Sequence, residues 1–160
     1  MIYRSFNFKE VSIIIKSEQD GLYRYVSLLG FTKNAEEAQR RIAYTYEEVM
    51  DTNKYPTIKL SKISEFNIED GTTLEGDELL TFNRPILLTE ERKSNDELLE
   101  SDYFTIYILG YKAEILGFIE FGDPRNKKFP QRSTIKWIEL IGSTLGFIIQ
   151  RERIRKDKRR

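Results

Sequence analysis

Apolar and polar residues alternate most regularly between residues 103 and 121, where β-branched and aromatic side chains dominate. Because successive side chains of a strand point to opposite faces, this pattern predicts two strands. Gly110 between them supplies the positive φ that a tight turn requires. Residues 8–16 and 22–31 alternate in the same way around a turn of Ser, Glu, Gln, Asp and Gly. The pattern therefore predicts two β-hairpins.

Helical spacing follows the first hairpin. Asn34 and Glu37 have the residue types and the separation of a capping box. We therefore expect a helix over residues 35–50, with its apolar side chains on one face. Residues 54–101 show no strong periodicity. This segment is either a functional face or mobile lid, or ordinary connecting structure over the sheet.

A long terminal helix is expected over residues 133–158, capped by Ser133 or Thr134. Its apolar residues form two seams at helical spacing, the first being Ile138, Ile141, Leu145 and Ile148 and the second Trp137, Leu140, Phe147 and Ile154. Both seams could belong to one wide face that packs on the sheet. We favour pairing of one seam with another copy of the chain, because the helix is longer than a domain of this size can cover.

Cysteine and histidine are both absent. The sequence therefore excludes disulfides, thiol nucleophiles, thiolate or imidazole metal sites and a Ser-His-Asp triad. With 26 acidic and 26 basic residues the net charge is zero, so no nucleic-acid partner is expected. The basic run at 151–160 is interpreted as a solvated helix end. Since no apolar stretch reaches about twenty residues, we expect no membrane insertion and one cytoplasmic domain over residues 1–160.

Acidic residues are frequent, but their spacing does not indicate catalysis. Neighbouring pairs such as Glu47 and Glu48 diverge by about 100° on a helix and point to opposite faces of a strand, so they form no acid–base dyad. The segment between Gly71 and Gly76 lacks a phosphate-binding motif. Its acidic side chains do not have EF-hand spacing, and no metal site is expected from Glu69, Asp70, Glu75, Asp77 and Glu78.

The second hairpin and the terminal helix carry a family resemblance. Residues 115–121 read Ile-Leu-Gly-Phe-Ile-Glu-Phe, Phe129 follows in the loop, and the helix begins near residue 133. Residues 83–88 read Asn-Arg-Pro-Ile-Leu-Leu, with Asn where the family commonly has Gly before the Pro. These features resemble those of GAF domains, which are sensory and dimerising modules. The resemblance covers about residues 11–153.

The resemblance implies an α+β fold, a GAF/PAS-like antiparallel sheet of six strands flanked by helices and carrying a long C-terminal helix. That helix would lie on one side of the sheet, with the helix at 35–50 and the segment 54–101 on the other. Gly117, in a strand interior, predicts close approach of another element, which we expect to be the terminal helix.

In GAF domains the small-molecule site lies between the sheet and the elements opposite the terminal helix. The resemblance and the strand pattern together give five candidate ligand-binding residues on the sheet: Tyr25, Ser27, Thr105, Tyr107 and Glu120. A carboxylate in a covered sheet is costly unless it is paired or faces a wet cavity, so Glu120 either contacts a ligand or pairs with Arg24 or another basic group. The tyrosines could equally be half-buried packing residues.

The expected function is a non-catalytic sensory or regulatory module. It would bind a small molecule, form a homodimer through its C-terminal helix and signal to a partner domain. The alternative is a ligand-free dimerisation scaffold of a signalling protein. An enzyme is less favoured, because the free-methionine sulfoxide reductases that share this fold need cysteines.

The cofactor is unknown from the sequence. Known GAF ligands include cyclic nucleotides, bilins and haem. Covalent bilin is disfavoured by the lack of Cys and His-ligated haem by the lack of His. The cyclic-nucleotide motif is echoed only by Asn126, Lys127 and Phe129, without its Asp.

Overall fold

The computed structural model describes residues 6–68, 74 and 76–159. Its strands are β1 Phe8–Lys16, β2 Tyr23–Leu29, β3 Ala43–Tyr44, β4 Thr57–Lys59, β5 Ser64–Asn67, β6 Tyr103–Leu109 and β7 Ile115–Pro124. Its α-helices are α1 Lys33–Arg41, α2 Tyr46–Val49 and α3 Arg132–Asp157. Two short 3₁₀ helices are η1 Gly76–Thr81 and η2 Pro85–Thr89.

All neighbouring strands pair antiparallel in one sheet of order β3-β2-β1-β7-β6-β5-β4. This confirms the α+β fold and the antiparallel sheet with a long C-terminal helix. The described residues form seven strands rather than the expected six. Part of the segment 54–101 therefore belongs to the sheet as β4 and β5, and the four residues of β5 are all buried.

Strand periodicity divides the sheet into two faces. On β6, Phe104, Ile106 and Ile108 are buried in the main apolar core. They lie on the α3 side, where Ile138 of the helix joins the same core. Thr105 and Tyr107, one residue out of phase, face the opposite side. That side is covered by α1, α2 and η1.

Two glycines let α3 approach β6 closely. A Cβ built on Gly146 would lie 2.2 Å from the carbonyl oxygen of Leu109, and one on Gly142 would lie 2.9 Å from Cγ2 of Ile106. Both distances are shorter than real Cβ contacts allow. The helix therefore rests on the backbone of β6, which links the two elements mechanically.

The expected helix over 35–50 is wrong in its extent. The chain leaves α1 at Ile42, forms the short strand β3 at the sheet edge and re-enters a helix at Tyr46. The first cap is Thr32, whose hydroxyl accepts a hydrogen bond from the Ala35 amide, and not Asn34. A complete capping box occurs instead at Thr45 and Glu48.

Three local expectations are also corrected. Gly110 does not have positive φ; Ala113 does, at 60°, in the same turn. The element close to Gly117 is β1 and not the terminal helix, because a Cβ there would lie 2.1 Å from the carbonyl oxygen of Ile14. The N-cap of α3 is Gln131, which makes no side-chain capping bond, rather than Ser133 or Thr134.

The terminal helix carries apolar residues on two opposite faces. Ile138 is buried in the core, with Ile141, Leu145 and Ile149 packed against it. Ile148 was expected in this seam but is 49% exposed. It lies with the second seam, whose members are exposed: Trp137, Leu140, Phe147 and Ile154.

Candidate functional site

A cavity of about 120 Å³ lies on the sheet face opposite α3. Its floor is formed by side chains of β1, β2, β5, β6 and β7, and its cover by α1, α2, η1 and the residues around Glu100. Space of this size holds several water molecules or one small organic molecule. Its walls combine tyrosine and phenylalanine rings with carboxylates, hydroxyls and amides, as small-ligand sites do.

Glu120 of β7 lies on the floor of the cavity. Ser12 donates a hydrogen bond of 2.8 Å from Oγ to the carboxylate, and the Tyr25 hydroxyl donates another. Burial raises the pKa of Glu120 to about 7, against the weaker opposing effect of these two donors. The group therefore changes charge near neutral pH. The alternative ion pair with Arg24 is wrong, because Arg24 forms a two-bond pair with Asp20 on the surface.

Two further polar pairs lie beside Glu120. Tyr107 donates a 2.6 Å hydrogen bond from its hydroxyl to Glu65, and Asn67 donates a 2.7 Å bond from Nδ2 to Oγ1 of Thr105. Burial, and then the bond to Glu65, raise the pKa of Tyr107 well above its usual range, so this phenol stays protonated. These bonds fix the side chains of β5 and β6 that face the cavity.

Glu10 of β1 is a second buried carboxyl of the lining. Its Oε1 accepts a 2.6 Å hydrogen bond from Nδ2 of Asn83. Burial raises the pKa of Glu10 to about 7, and the charges of Glu100 and Asp123 act in the same direction. Asn83 also donates to the Gly30 carbonyl and accepts from the Thr32 amide, so it ties the cover to the sheet.

Gln39 of α1 contributes an unpaired acceptor to the cover. Its side chain lines the cavity, and the residue is only 3% exposed. Nε2 donates a 2.7 Å hydrogen bond to the Thr81 carbonyl, whereas Oε1 is buried without a partner among the described residues. An unpaired buried acceptor is costly, and a donor brought to it would be stabilised.

The basic side chains near the cavity are already paired. Three lining carboxylates have their own cations, in the pairs Glu78–Lys54, Glu100–Arg84 and Asp102–Arg92. No lysine or arginine lines the cavity within the described ranges. The site as described therefore offers a negatively charged, aromatic environment.

The structure brings four of the five candidate residues together. Tyr25, Thr105, Tyr107 and Glu120 all line the cavity, whereas Ser27 does not. The reason is a β-bulge in β2, which pairs Tyr25 with Ile14 but Ser27 with Ile13, a residue of the other face. That these side chains bind a ligand remains a prediction.

Several lining residues could not be found from the sequence pattern. Ser12 lies on β1, whose alternation is visible in the sequence, and Glu65 lies on β5, whose alternation is weak. Only the register of the sheet shows that Ser12 meets Glu120 and that Glu65 meets Tyr107. Gln39 would have needed the position of α1. Their only signal in the sequence was a polar residue at an inward position.

The remaining sequence motifs lie mostly outside the cavity, apart from Glu78, which lines it. Glu69, Asp70 and Glu75 of the acidic segment fall outside the described residues, while Asp77 pairs with Arg41 and Glu78 with Lys54. The residues echoing the cyclic-nucleotide motif are not part of the cavity. Lys127 pairs with Asp123, and Phe129 packs against Phe66 and Phe104.

Across the part of the chain that the structure describes, no helix combines the length and apolar character needed to cross a bilayer.

The fold is similar to that of solved domains of other proteins. One is a domain assigned to a two-component sensor histidine kinase protein from Sinorhizobium meliloti 1021, with a TM-score of 0.61 and 19% identity over 99% of this chain and 90% of that chain. Another is the GAF domain of an Acinetobacter phosphoenolpyruvate-protein phosphotransferase, with a TM-score of 0.55 and 7% identity over 96% of this chain and 78% of that chain. No family model and no curated protein matches the sequence. The chain therefore folds as a GAF-like module.

Proposed function

We propose that this chain is a non-catalytic sensory module that binds a small molecule in the cavity and transmits occupancy through α3. The observation that carries the proposal is the cavity itself, which lies between the sheet and the cover and is lined by directed polar groups. A scaffold without a ligand would be expected to fill this space with apolar side chains. The fold, shared with a sensor kinase domain, is consistent with this role.

A physical route connects the cavity to α3. Thr105 and Tyr107 face the cavity, and Ile106 between them lies against Gly142 of the helix. A shift of β6 on binding would therefore move the surface on which α3 rests. The far end of α3 is also fixed, since Arg153 donates a 2.6 Å hydrogen bond to the Lys16 carbonyl of β1.

We further propose a homodimer through the exposed face of α3. Its apolar side chains begin with Trp137, three residues before Leu140, and continue at intervals of seven residues from Leu140 through Phe147 to Ile154. This is the heptad spacing of a two-helix seam, and it spans about 25 Å at 1.5 Å per residue. Because the same seam is present on every copy, a second copy of this chain is its natural partner.

A thermal-shift screen of nucleotides, amino acids, organic acids and amines tests the function. A ligand of the native fold raises the melting temperature by mass action. Thr105→Val, which removes a hydroxyl from the cavity, should reduce the shift. Ser27→Val makes a closely similar change outside the cavity and should leave it intact. A shift that survives both Thr105→Val and Glu120→Gln would place the ligand elsewhere, and a complete absence of hits would favour the ligand-free scaffold.

A further inference from the structure

Among the described residues, the cavity lining holds several acceptor groups that have no cationic partner. Glu10, Glu65 and Glu120 form no ion pair within the described residues and receive hydrogen bonds from neutral donors, an amide or hydroxyls. Oε1 of Gln39 adds a buried acceptor with no partner there. What these groups lack is a donor that carries positive charge.

An anionic ligand would fit this site poorly. No lysine or arginine of the described chain lines the cavity, and Lys54, Arg84 and Arg92 nearby are held by Glu78, Glu100 and Asp102. A ligand phosphate or carboxylate would have to lie next to the carboxyl groups of Glu10, Glu65 and Glu120, which have no cationic partner among the described residues. Like charges in contact repel strongly in a partly buried site.

The aromatic walls favour the opposite charge. Tyr25, Tyr44, Tyr103, Tyr107 and Phe118 surround the floor of the cavity. Ring faces attract ammonium and guanidinium groups, most strongly when water is excluded. Burial raises the pKa of Glu120 and of Glu10 to about 7, and for Glu10 the charges of Glu100 and Asp123 outweigh the nearby cation Arg84.

We propose that the ligand of this cavity is a small organic cation with N–H donors, an amine or a guanidine, held by Glu120 and Glu65 between tyrosine rings. Its N–H groups would supply the donor that Gln39 lacks. This inference rests on the proposed sensory function and specifies the chemical class of its ligand.

Calorimetric titration with three molecules of nearly equal size tests the class. The probes are 2-phenylethylamine, 2-phenylethanol and phenylacetate, which differ mainly in charge. Putrescine and agmatine extend the set of cations. We expect at least one cation to bind at millimolar concentration or below, and 2-phenylethylamine to bind at least about tenfold more tightly than the alcohol or the acid.

Variants locate the binding. Glu120→Gln and Glu65→Gln should each weaken cation binding by about tenfold to a hundredfold, as expected for the loss of a hydrogen bond to a charged group. Glu90→Gln, at an exposed position, is the matched control and should leave affinity unchanged. Thermal melts of each variant establish that it is folded before affinities are compared.

Two outcomes overturn the proposal while leaving the sensory function intact. One is tighter binding of the alcohol or of phenylacetate than of the amine. The other is failure of every cation while the broader screen finds a ligand of another class whose effect Thr105→Val removes. If neither these probes nor the broader screen produces a ligand, both the cation proposal and the sensory function fail. Cation affinity unchanged in both glutamate variants would also overturn the assignment to this cavity.

Discussion

Glu120 shows how much one residue depends on its surroundings. The strand pattern placed this carboxylate on the face away from Ile119 and Phe121, and the structure places it there. The pattern could not show that its partners are the hydroxyls of Ser12 and Tyr25, because these come from other strands. Its pKa is raised because burial outweighs the lowering effect of these two neutral donors.

The pH dependence of stability should reveal this group. The pKa of Glu120 rises from 4.5 to about 7 on folding, so the unfolded chain gives up this proton at lower pH. Its contribution to stability is therefore fully present below pH 4.5 and is lost as the pH rises through 7. Relative to wild type, Glu120→Gln should gain about 1–3 kcal/mol of unfolding free energy between pH 5 and pH 8. Urea unfolding at both pH values measures it.

Glu10, with a pKa also near 7, contributes the same trend to wild type and to the variant, so it cancels in the comparison. Tyr25 remains protonated throughout, because its pKa lies well above 10. The exposed change Glu90→Gln should leave the pH profile of stability unaltered. Parallel profiles for wild type and Glu120→Gln would show that this carboxyl is not buried as described.

Gly117→Val tests a second residue-scale contact. The added Cβ would meet the Ile14 carbonyl of β1 at 2.1 Å, so the strands must separate. We expect a loss of about 1–3 kcal/mol in unfolding free energy, the range for overpacking. Ser27→Val adds the same side chain at an exposed strand position and should change stability little. An unaltered melting temperature for Gly117→Val would contradict this account.

At the scale of elements, the long regular strands and helices could be predicted, but the points where a regular pattern is interrupted could not. The two hairpins and α3 were expected from alternation and helical spacing, and the structure confirms them. The helix expected over 35–50 fails at Ile42, because pairing of Ala43 and Tyr44 with the edge of β2 replaces helical hydrogen bonds. This pairing is a tertiary contact that local propensity does not contain.

The strands within the segment 54–101 could not be predicted for a related reason. Its strands β4 and β5 have only three and four residues, which is too short for an alternation to stand out. The bulge in β2 is a similar case, since it moves Ser27 to the other face although no Gly or Pro in the sequence of β2 predicts a bulge. Candidate-site residues could therefore be predicted only where the strand stays regular.

The contact between α3 and β6 gives the prediction at this scale. Gly146→Ala would place a Cβ 2.2 Å from the Leu109 carbonyl. The substitution gains up to about 1 kcal/mol in helix propensity, but overpacking against backbone costs about 1–3 kcal/mol. We expect a net loss of stability in thermal or urea unfolding. Ser143→Ala, on the exposed side of the same helix, should be neutral, and a stabilised Gly146→Ala would contradict the close approach.

At the scale of the whole molecule, α3 presents apolar residues to both the sheet and the surroundings. Trp137, Leu140 and Phe147 are each more than half exposed, at 61%, 53% and 54%. Exposed apolar rows of this kind mark protein interaction surfaces. The sequence showed both seams but placed Ile148 in one seam with Ile138, which is buried, because periodicity alone does not say where the sheet ends.

The proposed homodimer predicts twice the chain mass in light scattering at micromolar concentration. Phe147→Glu places a charge in the middle of the seam and should yield a folded monomer. Lys156→Glu introduces the same residue near the end of α3, away from the seam, and should remain dimeric. A monomeric wild-type protein would contradict the proposed homodimer, and it would do so independently of what the cavity binds.

The most direct test is a fluorescence titration of Trp137, the single tryptophan of the chain. It lies on the exposed face of α3, across the sheet from the cavity, so a bound ligand does not touch it. The titrant is the compound with the largest thermal shift in the screen. The account predicts a saturable change in emission, with the dissociation constant found by calorimetry, in wild type and in Ser27→Val. Thr105→Val should shift the curve to higher concentration. Saturating binding in the cavity with unchanged Trp137 emission would contradict the claim that α3 reports its occupancy.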